Sequence, residues 1–288
     1  MHDFEFLEPA SVAEASRMAA DLGEDVRFIA GGTALMLALR QRMLSPSHLV
    51  SLARLAPLRG IAFDARRGLR IGALALHAEI AEHPLVRQHA PMLAEMAAQV
   101  ANPQVRNQGT LGGNLCYADP ATDPPTCLLA LDARVRLASH RGTRELPLAE
   151  FIVDYYTTAL EPDELVQDIL VPPQPADAVG RYARFLRTAA EHRPMASVAA
   201  RLRRHGATCI EACIVIGAAT PVPARLARAE ACLAGRPVTT DLVAEAADIA
   251  AADLSPLDDL RGSAEYRRAM VRVQLRRTLA ALFDLPTE

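Results

Sequence analysis

Two Gly-Gly pairs constrain this chain more than any other feature. One is Gly31–Gly32 in FIAGGTALM; the other is Gly112–Gly113 in TLGGNLCYADPATDPP. Each has an apolar lead-in, is followed by a small polar residue, and opens a helix-prone run. A glycine pair lets the backbone enter the left-handed region and lets a ligand approach without meeting a Cβ. A helix that starts just beyond leaves its first amides unpaired, with the positive end of the helix dipole behind them. That arrangement suits a phosphate or diphosphate. The sequence predicts amides from Gly31, Gly32 and Thr33, plus the Thr33 hydroxyl, on one side, and from Gly112, Gly113 and Asn114 on the other. Two such turns, each read with an apolar strand before it, point to one extended diphosphate ligand gripped from both sides. The G-x-G-x-x-G spacing of the usual dinucleotide fold is absent.

The chemistry is narrowed by what the sequence lacks. All 31 cationic side chains are arginine, which excludes the lysine of a Walker-type phosphate loop and any Schiff-base step. A net charge of −3 supplies no basic field for nucleic acid. The cysteines Cys116, Cys127, Cys209, Cys213 and Cys232 are odd in number and none are at C-x-x-C spacing, so neither a disulfide framework, a zinc site nor an iron–sulfur site is encoded. Cys209 and Cys213 fall in a strand-like run and read as small core hydrophobes. The histidines are scattered, with no H-E-x-x-H and no G-x-S-x-G serine. His77, after the alternating run IGALAL, is a candidate to face the ligand, whereas His192 and Arg193 read as a solvated turn. No catalytic or metal-binding residue is therefore assigned, and a bound cofactor is expected to carry any chemistry. The N-terminus lacks the pattern of a signal peptide and no apolar run is long enough for a membrane span, so the cytoplasm is the expected compartment.

Along the chain, SVAEASRMAADLG reads as an amphipathic helix stopped by Gly23, and VRFIAGG as a short strand. LRGIAFDARRGLRIG reads as a hairpin about Gly68. A helical stretch broken at Pro84 and Pro91 follows, then the second glycine stretch, a strand pair at ARVRLAS and RGTRELPLAEF, and a strand at ELVQDILVPP. Asp123 reads as a helix N-cap with proline at the first helical position, and its carboxylate is also able to accept from a ribityl or ribose hydroxyl. Asp119 reads as a turn residue. Prolines 172, 173 and 175 mark the boundary between residues 1–174, with lobes at roughly 1–57 and 58–174, and residues 177–288. Beyond it, three antiparallel strands and then three helices are predicted, giving an α+β class overall.

The runs AGGTALMLALR and TLGGNLCYADPATDPPTCLLALDA closely resemble the two FAD-binding stretches of the flavoprotein (medium) subunit of the molybdenum hydroxylases, the carbon monoxide dehydrogenase and xanthine dehydrogenase type. DYYTTALEPDELVQDILVPP resembles the end of that flavin domain, and RGSAEYRRAM a late helix of its C-terminal domain. The resemblance implies a two-lobed FAD-binding domain of the vanillyl-alcohol-oxidase type followed by a smaller α+β domain. It implies that Phe28, Ile29, Ala30, Gly31, Gly32, Thr33, Ala34 and Leu35 wrap the diphosphate. Thr110, Leu111, Gly112, Gly113 and Asn114 would line the diphosphate and ribityl side, Asp123 would bind the FAD chain, and Val166 would pack near a ring. Where relatives often carry lysine this chain has Leu186, with Arg184 and Arg187 as the nearby cations. The implied role is electron transfer within a dimer of heterotrimers, with a molybdopterin-binding large subunit and a small subunit carrying two [2Fe–2S] clusters. A self-contained FAD oxidoreductase of the same superfamily and a flavin-free nucleotide-binding scaffold are the alternatives. The substrate and the electron acceptor are not encoded in any motif of this chain.

Overall fold

The computed structural model describes residues 3–286. It is a two-domain α+β structure with three main sheets. The first sheet is parallel, in the order β1 (Glu5–Leu7), β3 (His48–Ser51), β2 (Val26–Ile29). Helix α1 (Val12–Leu22) starts at Ser11, whose hydroxyl accepts from the Glu14 amide at 3.1 Å. It stops at Gly23, where φ is +68°, as the sequence predicts. Its Ala15 and Ala19 pack on Val26, Val50, Leu55 and Leu58. Helix α2 (Leu35–Arg40) follows the first glycine pair. The three-residue β1 is not signalled by any sequence pattern.

The second sheet has the order β4 (Ile61–Asp64), β5 (Gly68–Gly72), β10 (Leu165–Val171), β6 (Arg134–Ser139), β7 (Gly142–Pro147). The β4–β5 hairpin turns at Gly68, where φ is +86° and an added Cβ would run into the Val171 and Pro172 backbone. One face carries the helices α3 (His77–Glu82), α4 (Pro84–His89), α5 (Pro91–Gln99), α6 (Pro103–Arg106), α7 (Leu111–Tyr117), α8 (Pro124–Ala130) and α9 (Leu148–Phe151). Pro84 and Pro91 open α4 and α5 at positions where the missing amide costs nothing. A small ladder pairs β8 (Ile152–Asp154) with β9 (Thr157–Thr158). A bulge in β10 skips Gln167, so Val166 and Ile169 both enter the core while Asp168 turns to the opposite face, 3.2 Å from Arg136.

The C-terminal sheet is antiparallel, β11 (Ala178–Phe185), β12 (Ala196–His205), β13 (Thr208–Gly217), β14 (Ala224–Arg225). It has four strands rather than the three predicted, because Ala224–Arg225 pairs with Val215–Ile216 before the helices begin. Three helices follow: α10 (Ala227–Leu233), α11 (Thr240–Ala252) and α12 (Ala264–Leu282). The sheet is buried on both faces. Ala199, Cys213 and Val215 join the core beneath the second sheet, while Val198, Ala200, Ile214 and Ile216 pack on the three helices. Cys209 and Cys213 are core residues, as their strand context predicts, but they face opposite sides because a bulge skips Ile210.

Candidate functional site

The first glycine pair forms an open turn between β2 and α2. Gly32 has φ +70°, so it uses the left-handed region the sequence predicts. Ala34 at the N-cap of α2 offers no side-chain acceptor. The amides of Gly31, Gly32, Thr33 and Ala34 find no acceptor among the described residues, although Gly31, Gly32 and Ala34 are partly buried. Such amides demand a partner. Phe28, Ile29, Ala30 and Leu35 flank the turn and are likewise partly buried.

The second glycine pair works differently from expectation. What precedes it is α6 and a loop, joined to the rest by a single Leu76–Thr110 bridge, not an apolar strand. Thr110 caps α7, accepting from the Gly113 amide at 3.1 Å. The amide of Leu111 donates to Ala75 O, that of Gly112 to Ala73 O, and that of Asn114 to Thr110 O. The predicted amides of Gly112, Gly113 and Asn114 are thus spent inside the protein, and neither glycine has positive φ. Their glycine character serves close approach instead. A Cβ on Gly112 would sit 2.6 Å from Ala73 Cβ and 2.9 Å from its carbonyl oxygen. On exposed Gly113 it would press on Thr110 Oγ1 at 2.8 Å and come into van der Waals contact with Ala30 Cβ at 3.8 Å.

The two stretches meet. A Cβ on Gly31 would overlap the Gln108 carbonyl oxygen, so the first turn lies directly on the chain entering the second. Beside this seam, a Cβ on Gly109 would stand 3.3 Å from the His77 ring and 3.4 Å from Thr33 Oγ1. His77 is 2 % exposed, its amide donates to Gly109 O, and its Nδ1 has no partner. Burial, aided by the Arg106 guanidinium, lowers its pKa to about 4, so the imidazole is neutral. Asn114 Oδ1 is also buried without a partner. Gln108 and Gly109 carry no sequence signal of their own, because their role is set by what packs on them.

Asp123 stands at the N-cap of α8 but makes no capping bond. Pro124 and Pro125 occupy the first two helical positions and remove the nearest donors. The carboxylate turns to the C-terminal domain: Oδ1 accepts from Tyr182 Oη at 2.5 Å and Oδ2 from Arg184 Nη1 at 3.1 Å. Burial pushes the carboxyl pKa up, against the pull of Arg184 and Tyr182. No sequence motif links Tyr182 and Arg184 to Asp123, although i, i+2 spacing puts them on one strand face. Arg184 is committed to this pair, and Arg187 to Glu191 and to the Arg261 carbonyl. Asp119 does hold a turn, accepting from the Ala121 amide, and it also binds Arg193 at 2.5 Å. Val166 is enclosed in the core, and its backbone hydrogen-bonds the Cys116 thiol.

An FAD diphosphate fits this chemistry: a run of acceptor-less amides and a threonine hydroxyl at the first turn, with the His77 ring beside Gly109 in the same seam and an exposed Gly113 that carries no Cβ. Among the described residues no histidine, cysteine and carboxylate group could hold a metal, and no helix is long and apolar enough to cross a membrane.

Comparison with known proteins agrees with the geometry. Residues 2–174 match the FAD binding domain in molybdopterin dehydrogenase, and residues 181–282 match the CO dehydrogenase flavoprotein C-terminal domain. The chain is 34% identical over 277 residues to the 6-hydroxypseudooxynicotine dehydrogenase complex subunit alpha of Paenarthrobacter nicotinovorans, covering 96% of this chain and 93% of that one. It superposes with a TM-score of 0.94, at 34% identity and 98% coverage of both chains, on carbon monoxide dehydrogenase from Hydrogenophaga pseudoflava lacking the Mo-pyranopterin moiety of its cofactor. Against quinoline 2-oxidoreductase from Pseudomonas putida 86 the TM-score is 0.92, at 31% identity, covering 98% of this chain and 97% of that one. The chain therefore belongs to the FAD-binding medium subunits of the molybdenum hydroxylases, the oxidoreductase flavoproteins of the carbon monoxide dehydrogenase and xanthine dehydrogenase type.

Proposed function

We propose that this chain seats FAD across the 28–35 and 110–114 segments. It takes electrons from the [2Fe–2S] clusters of a small partner subunit and passes them to an external acceptor. Substrate oxidation then belongs to a molybdopterin-binding large subunit, and the assembly is a cytoplasmic dimer of heterotrimers. The observation that carries the reading is the set of amides at Gly31–Ala34 without acceptors, on a turn whose Thr33 hydroxyl borders Gly109 together with the His77 ring.

When bound, FAD supplies redox chemistry that no side chain here provides. The chain's own part is to bind and orient it. The Gly31–Ala34 amides and the Thr33 hydroxyl donate to the diphosphate, and Asn114 Oδ1 accepts from a sugar or ribityl hydroxyl. Neutral His77 adds a polar edge without adding charge, and Gly113 leaves room for the cofactor chain. The cofactor domain spans residues 1–174 in two lobes, roughly 1–57 and 58–174, with residues 177–288 as the second domain.

The test is purification of the full chain alone and with its copurifying partners. A yellow protein that releases FAD, fails to turn over organic substrate alone, and copurifies with molybdenum- and iron-bearing chains is the expected result. A colourless chain that takes up no FAD, or one that oxidises substrate unaided, refutes the reading.

A further inference from the structure

The segment that continues from α7 toward α8 is stapled to the C-terminal domain at four successive places. Asp119 accepts from Arg193, and the Pro120 carbonyl accepts from the Ala218 amide at 3.1 Å. Asp123 is held by Tyr182 and Arg184, and the Thr126 hydroxyl meets that of Ser197 at 3.3 Å. Asp119, Asp123, Thr126, Ser197 and Tyr182 are all buried, between 0 % and 4 % exposed. The Arg184 side chain is 12% exposed. At the last staple, Gly217 is pressed so closely on Thr126 that a Cβ would overlap its hydroxyl.

These contacts are polar, directional and enclosed. A buried carboxylate is strongly held only when its hydrogen bonds are complete, and removal of one partner leaves a costly unsatisfied charge. The Asp123 clamp therefore fixes its segment more tightly than apolar packing alone. That segment leaves α7 through Ala118, whose left-handed φ of +48° ends the helix carrying Gly112, Gly113 and Asn114. Both clamp donors lie on β11, on one face of a single strand.

We propose that Tyr182 and Arg184 are positioning residues for the cofactor seat. By fixing Asp123 they hold α7 and the 118–125 segment in register with the 31–34 turn, so the C-terminal domain sets part of the affinity for FAD. The inference rests on the reading of the seam as the FAD site. It assigns the second domain a role in cofactor retention.

The test uses the full chain, stripped of flavin and titrated with FAD, with the change in flavin fluorescence reporting binding. Four proteins are compared: the parent, Tyr182→Phe, Arg184→Gln and Arg184→Lys. Tyr182→Phe removes a single oxygen and keeps the ring that packs in the core, so it keeps the proposal testable should Arg184→Gln fold poorly. Loss of one bond to a buried carboxylate predicts FAD binding weakened about tenfold or more in Tyr182→Phe and Arg184→Gln. Arg184→Lys is expected to restore most of the affinity. Thermal melts of the flavin-free proteins separate positioning from bulk stability. A purely structural role lowers the melting temperature but leaves the FAD dissociation constant of the folded protein unchanged, and that result overturns the proposal. If the parent itself binds no FAD, the site assignment fails instead, so the two failures are distinguishable.

Discussion

The two glycines of the second pair are predicted to fail in opposite ways when replaced. In Gly112→Ala the new methyl would lie 2.6 Å from Ala73 Cβ, 2.9 Å from Ala73 O and 3.0 Å from Ala73 Cα. Backbone cannot rotate aside, so α7 must move and loosen the bonds from Leu111 to Ala75 and from Gly112 to Ala73. Overpacking of this kind costs about 1–3 kcal/mol, and each weakened buried bond adds roughly 1 kcal/mol. Alanine's helix propensity returns only about 1 kcal/mol. The net loss is on the order of 3 kcal/mol, or roughly 6–12 °C in the melting temperature of the cofactor-free protein. In Gly113→Val the Cβ meets only the Thr110 hydroxyl, whose rotation forfeits a cap worth about 1 kcal/mol. The better helix propensity of valine offsets a few tenths of this. Stability thus changes by less than about 1 kcal/mol, but two methyls now cover the exposed surface beside Ala30. Melts of the flavin-free variants and flavin-to-protein ratios after reconstitution form the assay. Gly112→Ala should melt early, and Gly113→Val should melt normally yet stay colourless. Full flavin in Gly113→Val, or a parent-like melt for Gly112→Ala, would refute this account of why glycine occupies each position.

Three further outcomes follow from the same contacts. His77 titrates at about 4 when folded against 6.5 when unfolded, so the unfolded chain binds the extra proton first. Stability is fully present above pH 6.5 and falls as the pH drops toward 4, by about 3 kcal/mol in total. Denaturant unfolding of His77→Gln should lose most of that slope, and an unchanged slope would remove His77 from the explanation. Arg267 is 1 % exposed and donates to Met195 O, Ala218 O and Asp259. Arg267→Met should cost about 3 kcal/mol or more, because two carbonyls and a carboxylate lose their donor; a neutral effect in urea unfolding would contradict it. Removal of FAD should lower stability by about 2.7 kcal/mol relative to the protein held at a hundredfold excess over the dissociation constant. Melts with graded FAD concentration check this.

Features governed by near neighbours were legible. Gly23 as a helix stop, Gly68 as a hairpin turn, and Pro84 and Pro91 as breaks in a helical run all depend on local backbone geometry, and the structure adds that each proline opens the next helix. The first glycine pair was read correctly as an open turn for the same reason. The second pair was misread because glycine is demanded equally by a left-handed turn and by close packing. The turn pressed on Gly112 lies far back in the chain at Ala73, just after β5. Asp123 has the composition of an N-cap, but two prolines take away its donors and its partners arrive from β11. The β10 and β13 bulges escaped notice because one skipped residue inverts the alternation without any special residue to mark it.

The contact of Gly31 with the Gln108 carbonyl has an evolutionary consequence. Gly31 cannot drift by itself: any side chain there requires the 107–109 loop to retract, whereas residue 108, which contributes only its backbone carbonyl, is free to change its side chain. Glycine at 31 and the backbone course of the 107–109 loop should therefore be retained together. A chimaera that imports the 103–110 stretch from a relative with a bulkier residue at the position of Gly31 is expected to misfit here, however similar the rest of the domain.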